Sequence, residues 1–139
     1  ALVAAANVLG LLERNPGRRL SELRAELPVA HTSLTMSPHC ADEVKYQVLE
    51  RVVRAYEALA ADGGSILGRS IKEVITVNGA RVHLEDGSWV LVRASSNKPE
   101  LVVVVESTRS EDDMRALFHQ EVKPRLAAYP EVGAYNQEI

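Results

Sequence analysis

The sequence has 139 residues, of which 46% are hydrophobic and 25% charged, a composition typical of a soluble globular protein. A formal charge of -3 with 4% aromatic residues disfavours a nucleic-acid binder, which usually presents a basic face and stacking rings. No apolar run reaches the roughly 18 residues of a membrane span, and no signal sequence or internal disulfide pair is present. We therefore expect a cytoplasmic protein that binds neither nucleic acid nor membrane.

The N-terminal segment predicts two helices that lack their packing partners. Residues 1 to 15 are apolar on nearly every face up to Leu12, and neither an initiator Met nor a capping side chain precedes them. Asn15-Pro16-Gly17 ends this helix, and residues 20 to 27 form a short second one. We expect the pair to be the truncated end of a preceding domain, with a self-sufficient helical hairpin as the alternative.

Residues 28 to 41 show neither a helical nor an alternating pattern, which is typical of an extended connector. We expect a hinge between Thr32 and His39. Two histidines and one cysteine fall in this stretch, but without a fourth ligand they do not indicate a zinc site.

Residues 42 to 61 predict an amphipathic helix that ends at Gly63-Gly64. A sheet should cover its apolar stripe, which consists of Val44, Val48, Val52, Tyr56 and Leu59.

Four strands are predicted next, at residues 73 to 77, 80 to 85, 88 to 92 and 101 to 105. Asn78-Gly79 and Asp86-Gly87 separate the first three, and such pairs favour hairpins with type I′ turns. In the second strand apolar and polar residues alternate, as expected of a sheet with one solvated face. The fourth strand is apolar throughout, which favours burial on both faces.

The last helix is predicted to begin at Ser110, which opens a variant capping box, and Pro124 should kink or restart it. The order α-β-β-β-β-α predicts an α+β fold. It would consist of a four-stranded antiparallel sheet with its helices on one face.

The stretch Arg93-Ala94-Ser95-Ser96-Asn97-Lys98-Pro99 between the third and fourth strands has the composition of an anion-binding loop. Arg93 offers a planar fork of donors, Ser95 and Ser96 add hydroxyls, and a tight turn through Asn97 can direct backbone N–H groups to one ligand. Lys98 adds a second positive charge. An ordinary surface turn is the alternative, because Ser and Asn are common in turns.

The run from Glu85 to Leu101 resembles the phosphate-binding signature of the last domain of phosphomannomutases/phosphoglucomutases, members of the α-D-phosphohexomutase superfamily. That signature reads Arg-Ala-Ser-Asn-Thr-x-Pro or Arg-Pro-Ser-Gly-Thr-x-Pro. Arg93, Ala94, Ser95 and Pro99 match the first form, whereas Ser96 replaces its Asn and Asn97 replaces its Thr. Other segments that resemble the family are residues 20 to 28, 42 to 45 and 130 to 137.

The resemblance implies a TATA-binding-protein-like domain at residues 38 to 139, preceded at residues 1 to 37 by the end of a sugar-binding third domain and a hinge. The domain would hold the phosphate that is not being transferred, and its phosphate-binding residues would be Arg93, Ser95, Ser96, Asn97 and Lys98. The Arg-Ala-Ser form favours the phosphomannomutase/phosphoglucomutase branch over the phosphoglucosamine branch.

The resemblance also implies an activity for the parent enzyme, which would interconvert mannose or glucose 1-phosphate and 6-phosphate through a bisphosphate intermediate. A phosphoserine and Mg²⁺ would lie on upstream domains of the same enzyme. This chain carries neither a Ser-His-Asn-Pro loop nor an Asp-Gly-Asp loop. It is therefore expected to contain no catalytic residue, to bind no cofactor and to be inactive alone.

A small non-catalytic binding or regulatory module, for peptide or RNA, is the alternative function. RNA recognition on a sheet uses exposed aromatic residues, and only Trp89 lies clearly within a predicted strand. An independent hydrolase is disfavoured because His83 and His119 lie far from any nucleophile pattern.

Overall fold

In the computed structural model, which describes residues 1 to 139, an antiparallel sheet carries helices on one of its faces. The helices are α1 (Leu2–Glu13), α2 (Leu20–Ala25), α3 (Lys45–Ala61), α4 (Glu111–Ala116) and α5 (Lys123–Ala127), with a π-helical segment (Leu117–Val122) between the last two. The strands are β1 (His31–Thr32), β2 (Ser65–Ile66), β3 (Arg69–Ile75), β4 (Ala80–Leu84), β5 (Trp89–Ala94) and β6 (Leu101–Ser107). The predicted α+β class and antiparallel sheet are confirmed.

The sheet has six strands in the order β1-β6-β5-β4-β3-β2, so the prediction of four strands was wrong. The two additional strands lie at the edges, where His31 pairs with Ser107 and Ser65 pairs with Ser70. Each of these strands is two residues long, and two residues cannot show the alternation by which a strand is recognised in sequence.

Strand β3 begins at Arg69, before the predicted start at residue 73. The register of β3 against β4 shifts between Ile71 and Glu73. Such a bulge interrupts the alternation of side chains between the two faces of the sheet. The first half of β3 therefore lacks the two-residue apolar period by which a strand is recognised in sequence.

Both predicted hairpins are present, but the predicted turn type was wrong. A type I′ turn requires positive φ at both central residues, whereas here only the glycines have it, at 136° for Gly79 and 88° for Gly87. The Asp86 carboxylate accepts a hydrogen bond from the backbone N–H of Ser88 at 3.0 Å. This local bond stabilises a different turn, as Asp side chains commonly do.

The hydrophobic core lies between α3, the C-terminal helices and one face of the sheet. Along β4 the buried residues Ala80, Val82 and Leu84 alternate with the half-buried Arg81 and His83, as predicted. From the predicted helix stripe the structure buries Val48, Val52 and Tyr56 completely and packs Val44 and Leu59 at the edge of the core. Helix α3 therefore covers the sheet as expected from its sequence.

Strand β6 lies next to the edge strand β1. Leu101, Val103 and Val105 belong to the core, and Val102 on the opposite face is also buried. Val104 is only half-buried. The predicted burial on both faces is therefore confirmed at Val102 and was wrong at Val104.

The predicted hinge segment runs along β6. The backbone N–H groups of Ser33 and Met36 donate to the carbonyls of Val105 and Val103, each at 2.9 Å, and the Met36 side chain is fully buried. The hinge, and the domain boundary between residues 37 and 38, stay predictions. Helices α1 and α2 contain no buried residue, and no helix in the chain is long and apolar enough to cross a lipid bilayer.

The predicted start of the last helix is confirmed. The Ser110 hydroxyl accepts the backbone N–H of Asp113 at 3.1 Å and so caps α4. The helix does not restart at Pro124, because helical residues run without a break from Glu111 to Ala127, and the segment Leu117–Val122 just before it is π-helical. A kink at Pro124 stays a prediction.

A buried arginine bridges two carboxylates near the β4–β5 turn, at one end of the sheet. Arg69 Nη1 lies 2.7 Å from Asp113 and 3.3 Å from Asp86. Burial raises the pKa of Asp113, but hydrogen bonds from Ser107 and Arg69 outweigh this effect and hold the pKa below its usual range. The pKa of Asp86 is lowered in the same way, by Ser88 and Arg69 against the effect of burial.

We expect the free energy of unfolding to decrease as the pH falls below about 4. A carboxyl group with a lowered pKa stabilises the fold above its unfolded pKa of about 3.9, and this contribution is lost as pH falls through the folded value. Urea unfolding between pH 7 and pH 2 measures the decrease, and Asp113→Asn should make it shallower. An equally steep decrease in Asp113→Asn would show that Asp113 is not a source of it.

Candidate functional site

The predicted anion loop is a tight connection between β5 and β6. The Ser95 N–H donates to the Glu100 carbonyl at 3.0 Å, and the Glu100 N–H donates to the Lys98 carbonyl at 2.8 Å. Inside the loop, the Ser95 hydroxyl donates to the Asn97 side-chain oxygen at 3.3 Å. These bonds give residues 95 to 100 a defined conformation.

Three successive backbone N–H groups of this loop, those of Ser96, Asn97 and Lys98, donate to no acceptor in the protein. The three residues are exposed. Free N–H groups in sequence are a common way for a protein backbone to bind an anion. The exposed tip of the loop therefore has three donors available for a ligand.

The loop carbonyls, in contrast, are bound from within the protein. The Lys45 ammonium, in the first turn of α3, donates to the Ser95 carbonyl at 2.6 Å and to the Lys98 carbonyl at 2.9 Å. It also donates to the Asp42 carboxylate at 2.5 Å. The loop is thus held by a cation on its carbonyl side and has unbonded donors at its tip.

A cleft of about 900 Å³ lies beside the loop. Arg93, at the end of β5, and Ser96 are the two predicted site residues that line it. The remaining polar lining comes from the start of α3 and the β3–β4 loop and consists of Tyr46, Gln47, Glu50, Thr76 and Asn78.

The two cations of the predicted site are not engaged in ion pairs. Neither Arg93 nor Lys98 contacts a carboxylate, and the Arg93 guanidinium makes one hydrogen bond, from Nη1 to the Ala94 carbonyl at 3.1 Å. A guanidinium with unused donors is suited to bidentate binding of a phosphate. Both charges are therefore available to an incoming anion.

The structure brings the predicted residues together only in part. Arg93 and Ser96 share the cleft, whereas Asn97 and Lys98 lie at the exposed tip outside its lining. Ser95 is buried and its hydroxyl is bonded to Asn97, so in this conformation it shapes the turn. The assignment of all five residues to phosphate stays a prediction.

Lys45 is the residue that sequence reasoning did not assign to the site. A signal for it was present, because Lys45 precedes Leu49, Val52 and Tyr56 by four, seven and eleven residues and so lies on the buried face of α3. A lysine on a buried stripe needs polar partners. The sequence could not identify those partners, which are 50 and 53 residues further along the chain.

Gly79 lies against the backbone that carries Arg93. A Cβ at Gly79 would lie 2.3 Å from the Val92 carbonyl oxygen and 2.8 Å from the Arg93 Cα, and its φ of 136° is one that other residues rarely adopt. Only glycine therefore fits between the β3–β4 loop and the end of β5.

Gly79→Ala should displace Arg93 and destabilise the fold by about 1 to 3 kcal/mol, the usual cost of strain at such a position. Gly63→Ala is the matched control, since Gly63 also has a positive φ but a Cβ added there would meet no atom within 4 Å. Urea unfolding and phosphate affinity measure the two effects. Equal phosphate affinity in the two variants would contradict a role for Gly79 in placing Arg93.

The His, Cys, Asp and Glu side chains form no group of three that could hold a metal ion. The sequence resemblance places Mg²⁺ on an upstream domain, which stays a prediction.

Comparison with known proteins identifies residues 40–123 as a match to the family "Phosphoglucomutase/phosphomannomutase, C-terminal domain". A phosphopentomutase of Thermococcus kodakarensis is 38% identical over 88 residues, which cover 63% of this chain and 18% of the relative. A probable phosphoglucosamine mutase of Methanosarcina acetivorans is 33% identical over 125 residues, 90% of this chain and 25% of the relative. Another from Methanopyrus kandleri is 37% identical over 101 residues, covering 73% and 19%. The chain spans a quarter or less of the length of these relatives.

Proposed function

Since the chain belongs to the phosphoglucomutase/phosphomannomutase family and carries its C-terminal domain, we propose that residues 93 to 98 bind the non-transferred phosphate of a sugar phosphate. One observation above all supports this proposal. The N–H groups of Ser96, Asn97 and Lys98 are free, next to an Arg93 that has no carboxylate partner.

The electrostatics favour a local phosphate site in a protein of net charge -3. Arg93 and Lys98 bring two positive charges to the loop, and neither forms an ion pair with a carboxylate. Each hydrogen bond to a charged group contributes about 1.5 to 3 kcal/mol. The loop is ordered by its own hydrogen bonds, so little conformational entropy is lost when the ligand binds.

In the enzyme that carries this domain, the loop would bind one phosphate while the other is transferred. Binding energy from a non-reacting phosphate can orient the sugar for reaction, which lowers the activation barrier. The phosphoserine and Mg²⁺ would be supplied by other domains, and this chain alone would catalyse no phosphoryl transfer. This division of roles belongs to the proposal.

The substrate proposed is a hexose phosphate, of mannose or glucose, in its 1-phosphate, 6-phosphate and bisphosphate forms. The relatives carry names that point to other sugars, glucosamine phosphate and pentose phosphate. All of these share the phosphate that the loop would bind. Sugar selectivity would therefore be decided by residues outside the loop.

A titration of glucose 1-phosphate with the 139-residue chain, followed by the ³¹P NMR signal, tests the proposal. We expect the phosphate signal to shift and broaden, because the loop would desolvate and bind the phosphate directly. An unchanged ³¹P signal at an excess of the chain would contradict the proposed function.

A further inference from the structure

We propose that Lys45 is a positioning residue of this site, whose buried ammonium orients the phosphate-binding loop without touching the phosphate. The inference rests on the proposed function, because it concerns how the same loop is held ready for an anion. It assigns to the first turn of α3 a role in phosphate affinity.

The contacts of Lys45 show how the loop is held. Its side chain is 3% exposed, and each of its three N–H donors has an acceptor, at the Ser95 carbonyl, the Lys98 carbonyl and the Asp42 carboxylate. A buried ammonium is unfavourable unless all its donors are bonded. The loop and α3 are therefore fixed relative to each other by this group.

The bond to the Ser95 carbonyl sets the direction of a ligand donor. The C=O of Ser95 and the N–H of Ser96 belong to one planar trans peptide, in which the two bonds point in opposite directions. When Lys45 binds the Ser95 oxygen at 2.6 Å, the Ser96 N–H is directed away from the ammonium. The hydrogen bond from the Lys45 ammonium to the Lys98 carbonyl fixes the other end of the segment that carries the three free N–H groups.

The positive charge of Lys45, like its position, should favour anion binding at the loop. Its carboxylate partner Asp42 has a side chain that is 61% exposed, so solvent screens much of the opposing charge. The Lys45 ammonium bonds the inner side of the loop that carries the free N–H groups, where a positive charge favours an anion. Its burial prevents direct contact with a ligand, which makes its role one of positioning.

The test compares Lys45→Met with Lys123→Met in the 139-residue chain. Lys123 is a matched control, because the same substitution removes the same charge from a lysine on α5 that is paired with Glu138, outside the loop and its cleft. Dissociation constants for inorganic phosphate come from amide shifts in ¹H–¹⁵N NMR spectra. We expect Lys45→Met to weaken phosphate binding by about tenfold or more, and Lys123→Met to stay within about twofold of the unmodified chain.

A second readout separates positioning from a general loss of stability. In the ligand-free Lys45→Met chain, the amide signals of Ser96, Asn97 and Lys98 should shift and report greater motion, while those of the core strands stay in place. A residue that only stabilised the fold would lower the melting temperature and leave the phosphate affinity of the folded chain unchanged.

The outcomes distinguish this inference from the proposed function. If the unmodified chain fails to bind phosphate, the proposed function is wrong and this inference with it. If the unmodified chain binds and Lys45→Met binds equally well, only the role of Lys45 is wrong. If Lys45→Met does not fold, the same measurement is made on Lys45→Gln. We expect Lys45→Gln to bind inorganic phosphate about threefold or more weakly than the unmodified chain, and an unchanged affinity would overturn the inference.

Discussion

Under the proposed function, replacing Arg93 by Ala in the full-length enzyme is expected to lower kcat/KM for phosphosugars by about 30-fold to 1000-fold, equivalent to about 2 to 4 kcal/mol. The guanidinium can make two charge-assisted bonds to a phosphate, and both are lost in the variant. The fold should persist, because Arg93 bonds only the adjacent Ala94 carbonyl and its removal leaves no buried charge unpaired. Steady-state kinetics and thermal unfolding measure the two effects.

Two other variants provide the comparison for Arg93→Ala. Lys98→Ala should reduce kcat/KM less, because a flexible exposed ammonium lacks bidentate geometry. Arg115→Ala removes an exposed arginine paired with Glu111 and should leave the kinetics unchanged. If Arg93→Ala kept near-normal kcat/KM while melting well below the unmodified protein, Arg93 would be a structural residue and its assignment to phosphate would be wrong.

Replacing Arg69 by Met should lower the free energy of unfolding by about 3 kcal/mol at pH 7, the lower end of the range for breaking a buried ion pair. Arg69 is 5% exposed, and its loss leaves Asp113 without an ion pair, whereas Asp86 keeps its pair with Arg109 at 2.8 Å. The decrease should become smaller towards pH 2, as the two carboxylates, whose pKa values are held below their usual range, become protonated. Urea unfolding at both pH values measures it.

The exposed pair of Arg115 and Glu111 supplies the control for Arg69→Met. Removing it with Arg115→Met should cost about 1 kcal/mol or less, as is usual for surface pairs. Equal destabilisation by the two substitutions would show that burial of Arg69 between its partners contributes little.

The parts of the fold that the sequence predicted are those with a long and regular pattern. The buried residues Val48, Val52 and Tyr56 recur at helical spacing in α3, and the apolar residues of β4 alternate without interruption. Features that depend on one or two residues could not be predicted. The strands β1 and β2 are too short for a period, and the turn at Asp86-Gly87 depends on a few local hydrogen bonds, such as the one from the Ser88 N–H to the Asp86 carboxylate.

The candidate site also has features that could be predicted from the sequence and features that could not. The donors from Arg93 to Lys98 are adjacent in the sequence, so their composition was compatible with an anion loop or an ordinary surface turn, and the family resemblance favoured the anion loop. The support from Lys45 depends on contacts 50 and 53 residues apart, which appear only when α3 packs against the sheet. Likewise the fit of Gly79 against Arg93 depends on the pairing of β4 with β5.

A titration of the ¹⁵N-labelled 139-residue chain with glucose 1-phosphate tests the central claim most directly, because it locates the bound phosphate by residue. We predict that the largest and saturable shifts occur at the backbone amides of Ser96, Asn97 and Lys98 and at the Arg93 guanidinium. Shifts that cluster elsewhere, or no saturable shift at this loop, would contradict its assignment as a phosphate site.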